Sequence, residues 1–230
     1  MIPFPFSFWK YQGLVGNGSM LFTAANQTYL TVPGSSDWAV GTGDFTIEFW
    51  MYQSNNGNEN YIFDLGINDT LAFSISSGGN TLRVKMNTTT VATKANAVST
   101  NAWSHIAISR SGTTLRLFQG GQTGAGSVVT DSSNITDSTS TLYIGCKDPA
   151  NPTGDHWPGN ITNFRWVKGT ALYTANFTPP TTNLTAVTNT KLLLNVHNSA
   201  NLLTDTSVAP VAGKTVTNVN AVAFSALTPY

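Results

Sequence analysis

The order of apolar and polar residues is clearest between Phe45 and Tyr52. One side of this run carries Phe45, Ile47, Phe49 and Met51, and the other carries Thr46, Glu48, Trp50 and Tyr52. Strict alternation predicts a β-strand, because successive side chains of a strand point to opposite faces. The second side also contains two aromatic residues, so we expect that face to be covered or to line a groove.

Similar short runs, separated by turn residues, follow along the chain. Residues 71–86 surround the turn Ser76–Asn80 and predict one hairpin, and residues 103–118 surround Ser111–Gly112 and predict a second. Further strands are predicted at 141–144, 161–167, 191–194 and 222–224. No long run has the 3.6-residue period of a helix, and residues 170–173 are the best candidate for a single helical turn. The pattern therefore predicts an all-β sandwich.

The domain organisation follows from length and from two prolines. We predict one sandwich domain over residues 20–230, since sandwiches of this length are routinely single domains. Residues 1–19 are predicted to form an extended N-terminal arm, because Pro3 and Pro5 favour extended backbone. Such an arm packs along a neighbouring subunit or forms the first edge strand of the same domain, and the sequence leaves both open. No basic segment precedes the apolar start, so no signal peptide is expected.

Charge is scarce and balanced. Charged residues make up 10% of the chain, with 11 basic and 11 acidic residues. Without a basic stripe, nucleic acid is not an expected partner, and without a long apolar stretch, membrane insertion is not expected. A net charge of zero does little to oppose association, so a homo-oligomer is compatible with the composition. The single cysteine, Cys146, excludes an intrachain disulfide and is expected to be buried.

Four stretches of the sequence resemble one protein family. They are Tyr29–Pro33 with Gly41–Trp50, Asn101–Arg110 with Gly112–Phe118, Gly159–Tyr173, and Asn176–Pro180. In order and content they resemble the laminin-G-like branch of the concanavalin A-like lectin/glucanase superfamily. The stretch that ends in Val167-Lys-Gly-Thr-Ala-Leu-Tyr173 is most similar to the variant in structural proteins of phages and large aquatic viruses. The resemblance covers about residues 20–195, most of the chain.

This resemblance implies a two-sheet antiparallel jelly-roll sandwich. It also implies a non-enzymatic structural protein at the virion surface or elsewhere outside the cell, such as a capsid decoration, head-fibre or tail component. The expected partners are other virion proteins or copies of the same chain, with host-surface carbohydrate as a further ligand. The alternatives are a free carbohydrate-binding lectin and, third, a glycoside hydrolase.

The distribution of carboxylates speaks against hydrolysis. Glycoside hydrolysis needs two carboxylates flanking the scissile bond. Glucanases of the resembled fold carry Glu-x-Asp-x-x-Glu on one strand, whereas this chain has only Glu48 and Glu59, and Trp50 stands where the motif has Asp. The three histidines are far apart in sequence. We therefore expect no enzyme activity and assign no catalytic residue.

One loop has the composition of a sugar-binding site. Residues 147–157 contain Trp157, whose ring would stack on a sugar, and four side chains that would bond its hydroxyl groups: Asp148, Asn151, Asp155 and His156. The alternative is that Trp157 packs beneath the loop and the polar residues cap turns. The sequence does not decide between the two.

Calcium is the one candidate cofactor. Related domains often hold this ion at a loop rim, and the candidate oxygen ligands here are Asp64, Asp69, Asp148 and Asp155. No EF-hand-type spacing links these residues. The alternative is that they are turn and capping residues.

Overall fold

The computed structural model describes residues 17–55, 59–66, 69–77, 81–95, 98–149, 155–207 and 213–230, which form two packed β-sheets. The strands, in chain order, are β1 Ser19–Phe22, β2 Tyr29–Val32, β3 Phe45–Gln53, β4 Asn60–Leu65, β5 Leu71–Ile75, β6 Leu82–Met86, β7 Thr89–Lys94, β8 Trp103–Ser111, β9 Thr114–Gln119, β10 Val128–Thr130, β11 Leu142–Ile144, β12 Gly159–Lys168, β13 Thr190–Leu194, β14 Thr217–Val219 and β15 Ala223–Ser225. Two short 3-10 turns, Ala24–Asn26 and Ser199–Asn201, are the helical elements within these ranges.

Both sheets are antiparallel throughout. The larger sheet has eight strands in the order β10-β9-β8-β3-β12-β1-β15, with β13 also paired to β12. The smaller sheet has seven strands in the order β14-β2-β11-β4-β5-β6-β7. At one side of the sandwich the edge strands β14 and β15 are consecutive in the chain, and at the other side β7 contacts β9 and β10. The predicted two-sheet antiparallel jelly-roll sandwich is confirmed.

The core lies between the sheets and is rich in aromatic rings. Phe49 of β3 is at its centre. Its ring centroid lies 5.4 Å from that of Phe73 in the smaller sheet and 5.8 Å from that of Phe164 in the larger one. All three side chains are fully buried, as the alternation of their strands predicts. Cys146 is also fully buried, which raises the pKa of its thiol and leaves it protonated.

The predicted elements are observed with one exception. Strands β5 and β6 form the first predicted hairpin, and β8 and β9 form the second. The predicted helical turn at 170–173 is wrong, because that segment is irregular. Its hydrogen bonds go to β3: the hydroxyl of Thr46 donates to the carbonyl of Thr170 and accepts from the amide of Leu172. Contacts with a neighbouring strand replace the local bonds of a helix.

The predicted N-terminal arm lies largely outside the described residues, which begin at residue 17. Ser19, placed at the end of the arm by the sequence analysis, is the first residue of β1. β1 lies between β12 and β15 and is hydrogen-bonded to both. Ser19 is thus the first strand residue of the sandwich among the described residues.

Candidate functional site

The outward face of the larger sheet is crossed by residues 170–185, which we call the strap. The rings of Tyr173 and Phe177 stack 3.7 Å apart, and Phe177 lies 5.3 Å from Phe118 of β9. The amide of Phe177 also donates to the carbonyl of Gly121. Gly121 is required here, because a Cβ at this position would lie 1.9 Å from the Phe177 carbonyl oxygen. The strap is thus fixed to the sheet by rings and by backbone bonds.

A fully buried carboxylate, Glu48 of β3, lies under the strap. Its Oε1 accepts a hydrogen bond from Arg165 Nε at 2.9 Å, and its Oε2 accepts one from the Tyr173 hydroxyl at 2.9 Å. His105 Nε2 lies 3.2 Å from Oε2. Burial alone would raise the pKa of Glu48, but the hydrogen bond with His105 and the charge of Arg165 outweigh it and lower that pKa. Glu48 is therefore part of a structural ion-pair network and is not accessible to a substrate.

The outward face of the smaller sheet carries partly exposed aromatic rings. Tyr29 of β2 and Tyr143 of β11 have ring centroids 6.2 Å apart, and His156 lies 6.0 Å from Tyr29. We call these three residues the tyrosine patch. Both tyrosines alternate with buried residues of their strands, Leu30 and Leu142, so the sheet itself directs them outward.

Charged side chains on β4–β6 and the adjoining loops lie on the same face. Lys85 Nζ is 3.1 Å from Glu59 and 3.5 Å from Asp69, and Lys147 Nζ is 3.8 Å from Asp69. The two ammonium groups lie over the ring of Tyr61, 4.7 Å and 5.3 Å from its centroid. Carboxylates, ammonium groups and aromatic rings thus share one sheet face, which is the donor and acceptor set that binds sugar hydroxyl groups.

Asp64 of β4 is the cross-strand partner of Tyr143 of β11, and its side chain has no exposed surface. Its Oδ2 accepts a hydrogen bond from the amide of Asp148 at 3.1 Å, while its Oδ1 has no hydrogen-bond partner among the described residues. Burial raises the pKa of Asp64 to about 7; the bond from Asp148 opposes this shift, and the negative charge of Asp69 adds to it. The carboxyl is therefore partly protonated near neutral pH.

Only some of the side chains predicted to bind sugar in the loop of residues 147–157 lie together on the surface. Trp157 is 0% exposed and belongs to the core, so of the two alternatives for this ring the structure shows packing beneath the loop. A ring without exposed surface does not stack on a sugar. His156 is 8% exposed and joins the tyrosine patch, Asp148 is 5% exposed beside Asp64, and Asp155 is partly exposed. Asn151 lies outside the described residues.

The candidate calcium ligands Asp64, Asp69 and Asp148 lie near one another. In the parts of the chain that the structure describes, no group of three or more His, Cys, Asp or Glu side chains is arranged to hold a metal ion. Asp64 and Asp148 are linked by a hydrogen bond, and Asp69 is paired with Lys85 and Lys147. Two ammonium groups thus already pair with the Asp69 carboxylate. Calcium binding stays a prediction.

Sequence reasoning missed Tyr29 and Tyr143. The signal was present, because Tyr29-Leu-Thr-Val32 and Leu142-Tyr-Ile144 both alternate. What the sequence does not contain is the pairing of Thr31 with Tyr143, which places the two strands side by side and the two rings on one face.

In the described residues, no helix is long and apolar enough to span a membrane.

A family model matches the chain over residues 24–173, more than half its length, and is described as Concanavalin A-like lectin/glucanases superfamily, of the laminin G type. A comparison with the curated proteins finds no match.

Solved structures with the same fold are distant in sequence. A putative carbohydrate-binding protein from Bacteroides ovatus aligns with a TM-score of 0.55 and 14% identity, over 90% of this chain and 61% of that protein. A heptameric SAP-like pentraxin from Limulus polyphemus aligns with a TM-score of 0.51 and 14% identity, over 68% of this chain and 77% of the pentraxin. Domains LG4-5 of the mouse laminin α1 chain align with a TM-score of 0.50 and 13% identity, over 72% of this chain and 45% of that chain. At such identities the likeness shows the fold alone.

Proposed function

Since this chain belongs to the concanavalin A-like lectin/glucanase superfamily, we propose that it is a non-enzymatic carbohydrate-binding domain whose ligand lies on the outward face of the smaller sheet. The observation that carries the proposal is the difference between the two outward faces. The strap and the buried Glu48 network cover part of the outward face of the larger sheet. The smaller sheet presents the partly exposed rings of Tyr29 and Tyr143 beside charged side chains.

The chemistry of that face suits a sugar. An aromatic ring offers an apolar surface to the C–H face of a pyranose, and neighbouring carboxylates and ammonium groups accept from and donate to its hydroxyl groups. Tyr143 provides the ring, and Asp148 is close enough for its charge to raise the pKa of that tyrosine. Lys85 and Lys147 lie farther along the same face, over the ring of Tyr61. The Bacteroides ovatus protein, which has the same fold, is described as a putative carbohydrate-binding protein, and this supports the proposal at the level of the fold.

The placement of the carboxylates supports binding without hydrolysis. Glu48 is fully buried, and Glu59 accepts a hydrogen bond from Ser74 and pairs with Lys85. Asp64 has a raised pKa, as a general acid requires, but no exposed surface with which to reach a glycosidic oxygen. We expect no release of reducing sugar from β-glucans, and measurable turnover would contradict this part of the proposal.

We further propose that the domain serves at a virion surface, assembled with copies of itself or with other virion proteins. The support is the resemblance of residues 159–180 to a variant in viral structural proteins, together with the role of that stretch in the fold. It contains β12, at the centre of the larger sheet, and most of the strap. The domain would present its tyrosine patch to host-surface glycans.

A glycan array with the purified chain tests the binding proposal, followed by titration of the best ligand. We expect Tyr143→Ala to weaken binding about tenfold, because a ring contact contributes roughly 0.5–1.5 kcal/mol beyond the apolar area that it buries and about 1.4 kcal/mol is a tenfold change in affinity. Tyr52→Ala is the matched control, since Tyr52 is a partly exposed tyrosine of the larger sheet. Equal loss of binding in both variants, or none in Tyr143→Ala, would contradict the assignment of the face.

A further inference from the structure

Beyond the strap, the outward face of the larger sheet carries a row of side chains that runs across five neighbouring strands. Strand register places side by side Ala223 of β15, Leu21 of β1, Asn160 of β12, Tyr52 of β3 and Trp103 of β8. We call these five residues the cross-strand row, and none of them carries a charge. Leu21 is 37% exposed, and the rings of Tyr52 and Trp103, whose centroids are 5.6 Å apart, are partly exposed. With strands about 4.8 Å apart, the row is about 19 Å long.

The next row of the same face is already covered by two segments of the chain. The ring of Phe177 in the strap lies 5.7 Å from that of His105. Residues 226–230, which we call the tail, cross the face farther along, and the ring of Tyr230 lies 6.4 Å from that of Trp50. This sheet therefore covers its outward aromatic rings with segments laid across the strands, and the cross-strand row is left partly exposed.

Polar atoms beside the row lack a hydrogen-bond partner among the described residues. They are the indole nitrogens of Trp50 and Trp103 and the hydroxyl of Thr162, the cross-strand neighbour of Trp50, and all three atoms are buried. Buried donors without a partner are uncommon and destabilising, so we expect an acceptor from outside the described residues. Backbone carbonyl groups of an extended, proline-containing segment are such acceptors, and segments of this kind bind in aromatic-lined grooves.

The first residues of the chain have the composition that suits this row. Residues 2–9 read Ile-Pro-Phe-Pro-Phe-Ser-Phe-Trp and contain no charged side chain. The two prolines favour extended backbone. A strand-like backbone would turn Phe4, Phe6 and Phe8 to one side, and about six residues would span the row. The segment and the row are thus matched in length and in polarity.

The described chain enters on the same face, on the far side of the tail. Asn17 Oδ1 accepts a hydrogen bond from Asn183 Nδ2, and Asn183 Oδ1 accepts one from the hydroxyl of Tyr230. Two residues further on, the hydroxyl of Ser19 donates to the carbonyl of Leu227 in the tail. The tail therefore lies between the start of the described chain and the cross-strand row. A segment that comes from a neighbouring copy reaches the row without crossing the tail.

We propose that the cross-strand row binds residues 2–9 of a neighbouring copy of this chain, with their phenylalanine rings against Leu21, Tyr52 and Trp103. Each copy would give one segment and receive one. This contact would join the copies of the assembly proposed above, on which it rests, and it lies on the opposite sheet from the tyrosine patch.

Disulfide trapping in the full chain tests the proposal. Leu21→Cys is co-expressed with Phe4→Cys or with Phe8→Cys on a chain with a tag of different mass, so that both directions of the segment are covered. Cys146 is fully buried and stays out of the reaction. After mild oxidation we expect a covalent pair of unlike chains, in about tenfold the yield obtained with Val128→Cys, because docking raises the effective concentration of one thiol near the other. Val128 is the matched control, 49% exposed at the other edge of the same sheet.

Each contrary outcome has a separate meaning. If light scattering shows an oligomer but the yield does not exceed that of Val128→Cys, the copies join through another surface, and the proposal is overturned while the assembly stands. A disulfide within one chain that carries both Leu21→Cys and Phe8→Cys would show that the segment lies on its own sheet, which also overturns the proposal. A monomeric full chain would overturn both the proposal and the assembly.

Substitutions test the same contact without oxidation. We expect Phe6→Ser and Leu21→Ser each to raise the Kd of the oligomer about tenfold, since a large apolar side chain buried at a contact contributes affinity of that order. Because both remove one contact, the double variant should lose less than the two single effects combined. Val128→Ser should leave the Kd unchanged. An unchanged Kd in Phe6→Ser and Leu21→Ser, measured by sedimentation with the fold intact by thermal unfolding, would overturn the proposal.

Discussion

Asp64 shows how a single residue couples the smaller sheet to pH. Its carboxyl is buried on the outward side of the sheet, next to Asp148 and near Asp69, and burial is the largest contribution to its raised pKa. The folded chain therefore binds the Asp64 proton more tightly than the unfolded chain, where an aspartate has a pKa of about 3.9. Folding is favoured when this residue is protonated and opposed when it is charged.

We predict that the free energy of unfolding falls as pH rises from about 4 to about 7, and that Asp64→Asn removes most of this fall. Asparagine keeps the oxygen that accepts from Asp148 but carries no charge. A shift to about 7 corresponds to a loss of at most about 4 kcal/mol between these pH values. Urea denaturation in chelator between pH 4 and 8 measures it.

Asp137→Asn is the control for this pH dependence. Burial opposes ionisation of Asp137, but hydrogen bonds from Ser140 and Thr139 outweigh it and lower its pKa. Its contribution therefore has the opposite sign, present at neutral pH and lost as pH falls. If Asp64→Asn were less stable than the parent at pH 8, the assignment of a destabilising buried charge would be incorrect.

Trp157 contributes to the fold and not to the surface. Its side chain is fully buried, and its amide donates to the carbonyl of Gly145, which ties the end of the loop to β11. We predict that Trp157→Ala lowers the free energy of unfolding by about 3–5 kcal/mol, the cost of removing a large ring from a core. Guanidinium denaturation measures this, with the partly exposed Trp103 replaced by alanine as control. A stable Trp157→Ala protein that had lost glycan binding would show instead that the ring reaches the ligand.

At the scale of elements, the strap covers part of the outward face of the larger sheet. It is fixed to β3 by Thr46 and Glu48, and Arg165 of β12 donates to the carbonyl of Thr185 at its far end. Its contacts combine a buried ion pair with stacked rings, so they act together rather than one by one. Replacing Arg165, the partner of Glu48 in the ion pair, should therefore weaken the other contacts of the strap as well.

We predict that Arg165→Met lowers the free energy of unfolding by about 3–5 kcal/mol, because it leaves the Glu48 carboxylate buried without its cation. The double variant Arg165→Met with Glu48→Gln should recover part of this loss. Hydrogen exchange should increase first at the amides of residues 170–185. An unchanged exchange rate in the strap of Arg165→Met would contradict the view that this network fixes the segment.

At the scale of the whole molecule, the strap covers part of the outward face of the larger sheet, and the net charge of the chain is zero. A neutral surface of hydroxyl and amide groups does little to oppose contact between copies. The proposed virion role requires such contacts, and the predicted arm of residues 1–19 is a segment that would reach a neighbour.

We predict that the full chain is a stable homo-oligomer in solution and that removal of residues 1–12 yields a monomer with the same fold. Light scattering with and without a calcium chelator measures both the mass and any dependence on the ion. A full-length chain that stays monomeric would favour the free lectin. A change of mass or thermal stability on addition of chelator would support calcium binding near Asp64 and Asp148.

The sequence by itself determined the fold class and most strands, because alternation is a local property that needs only neighbours in the chain. It also predicted the hairpins β5–β6 and β8–β9, whose turns contain their own glycines. The second side of β3, expected to be covered or to line a groove, is covered at Thr46 and Glu48 and partly exposed at its other end. β12 shows the limit of local reasoning. Strict alternation places Ile161 on the side of Arg165, but a bulge with Asn163 at a φ of 54° brings Ile161, Phe164 and Trp166 into the core together.

Only the tertiary structure decided the site. The sequence around Trp157 is the same whether its indole faces solvent or core, and only its packing in the hydrophobic core shows that it is buried. Tyr29 and Tyr143 are far apart in the chain and meet because β2 and β11 pair. Lys168, Lys191 and Lys214 likewise converge on one loop after β2. Periodicity specifies which way a side chain points within its own strand, whereas the partners it meets depend on pairing and packing between distant segments.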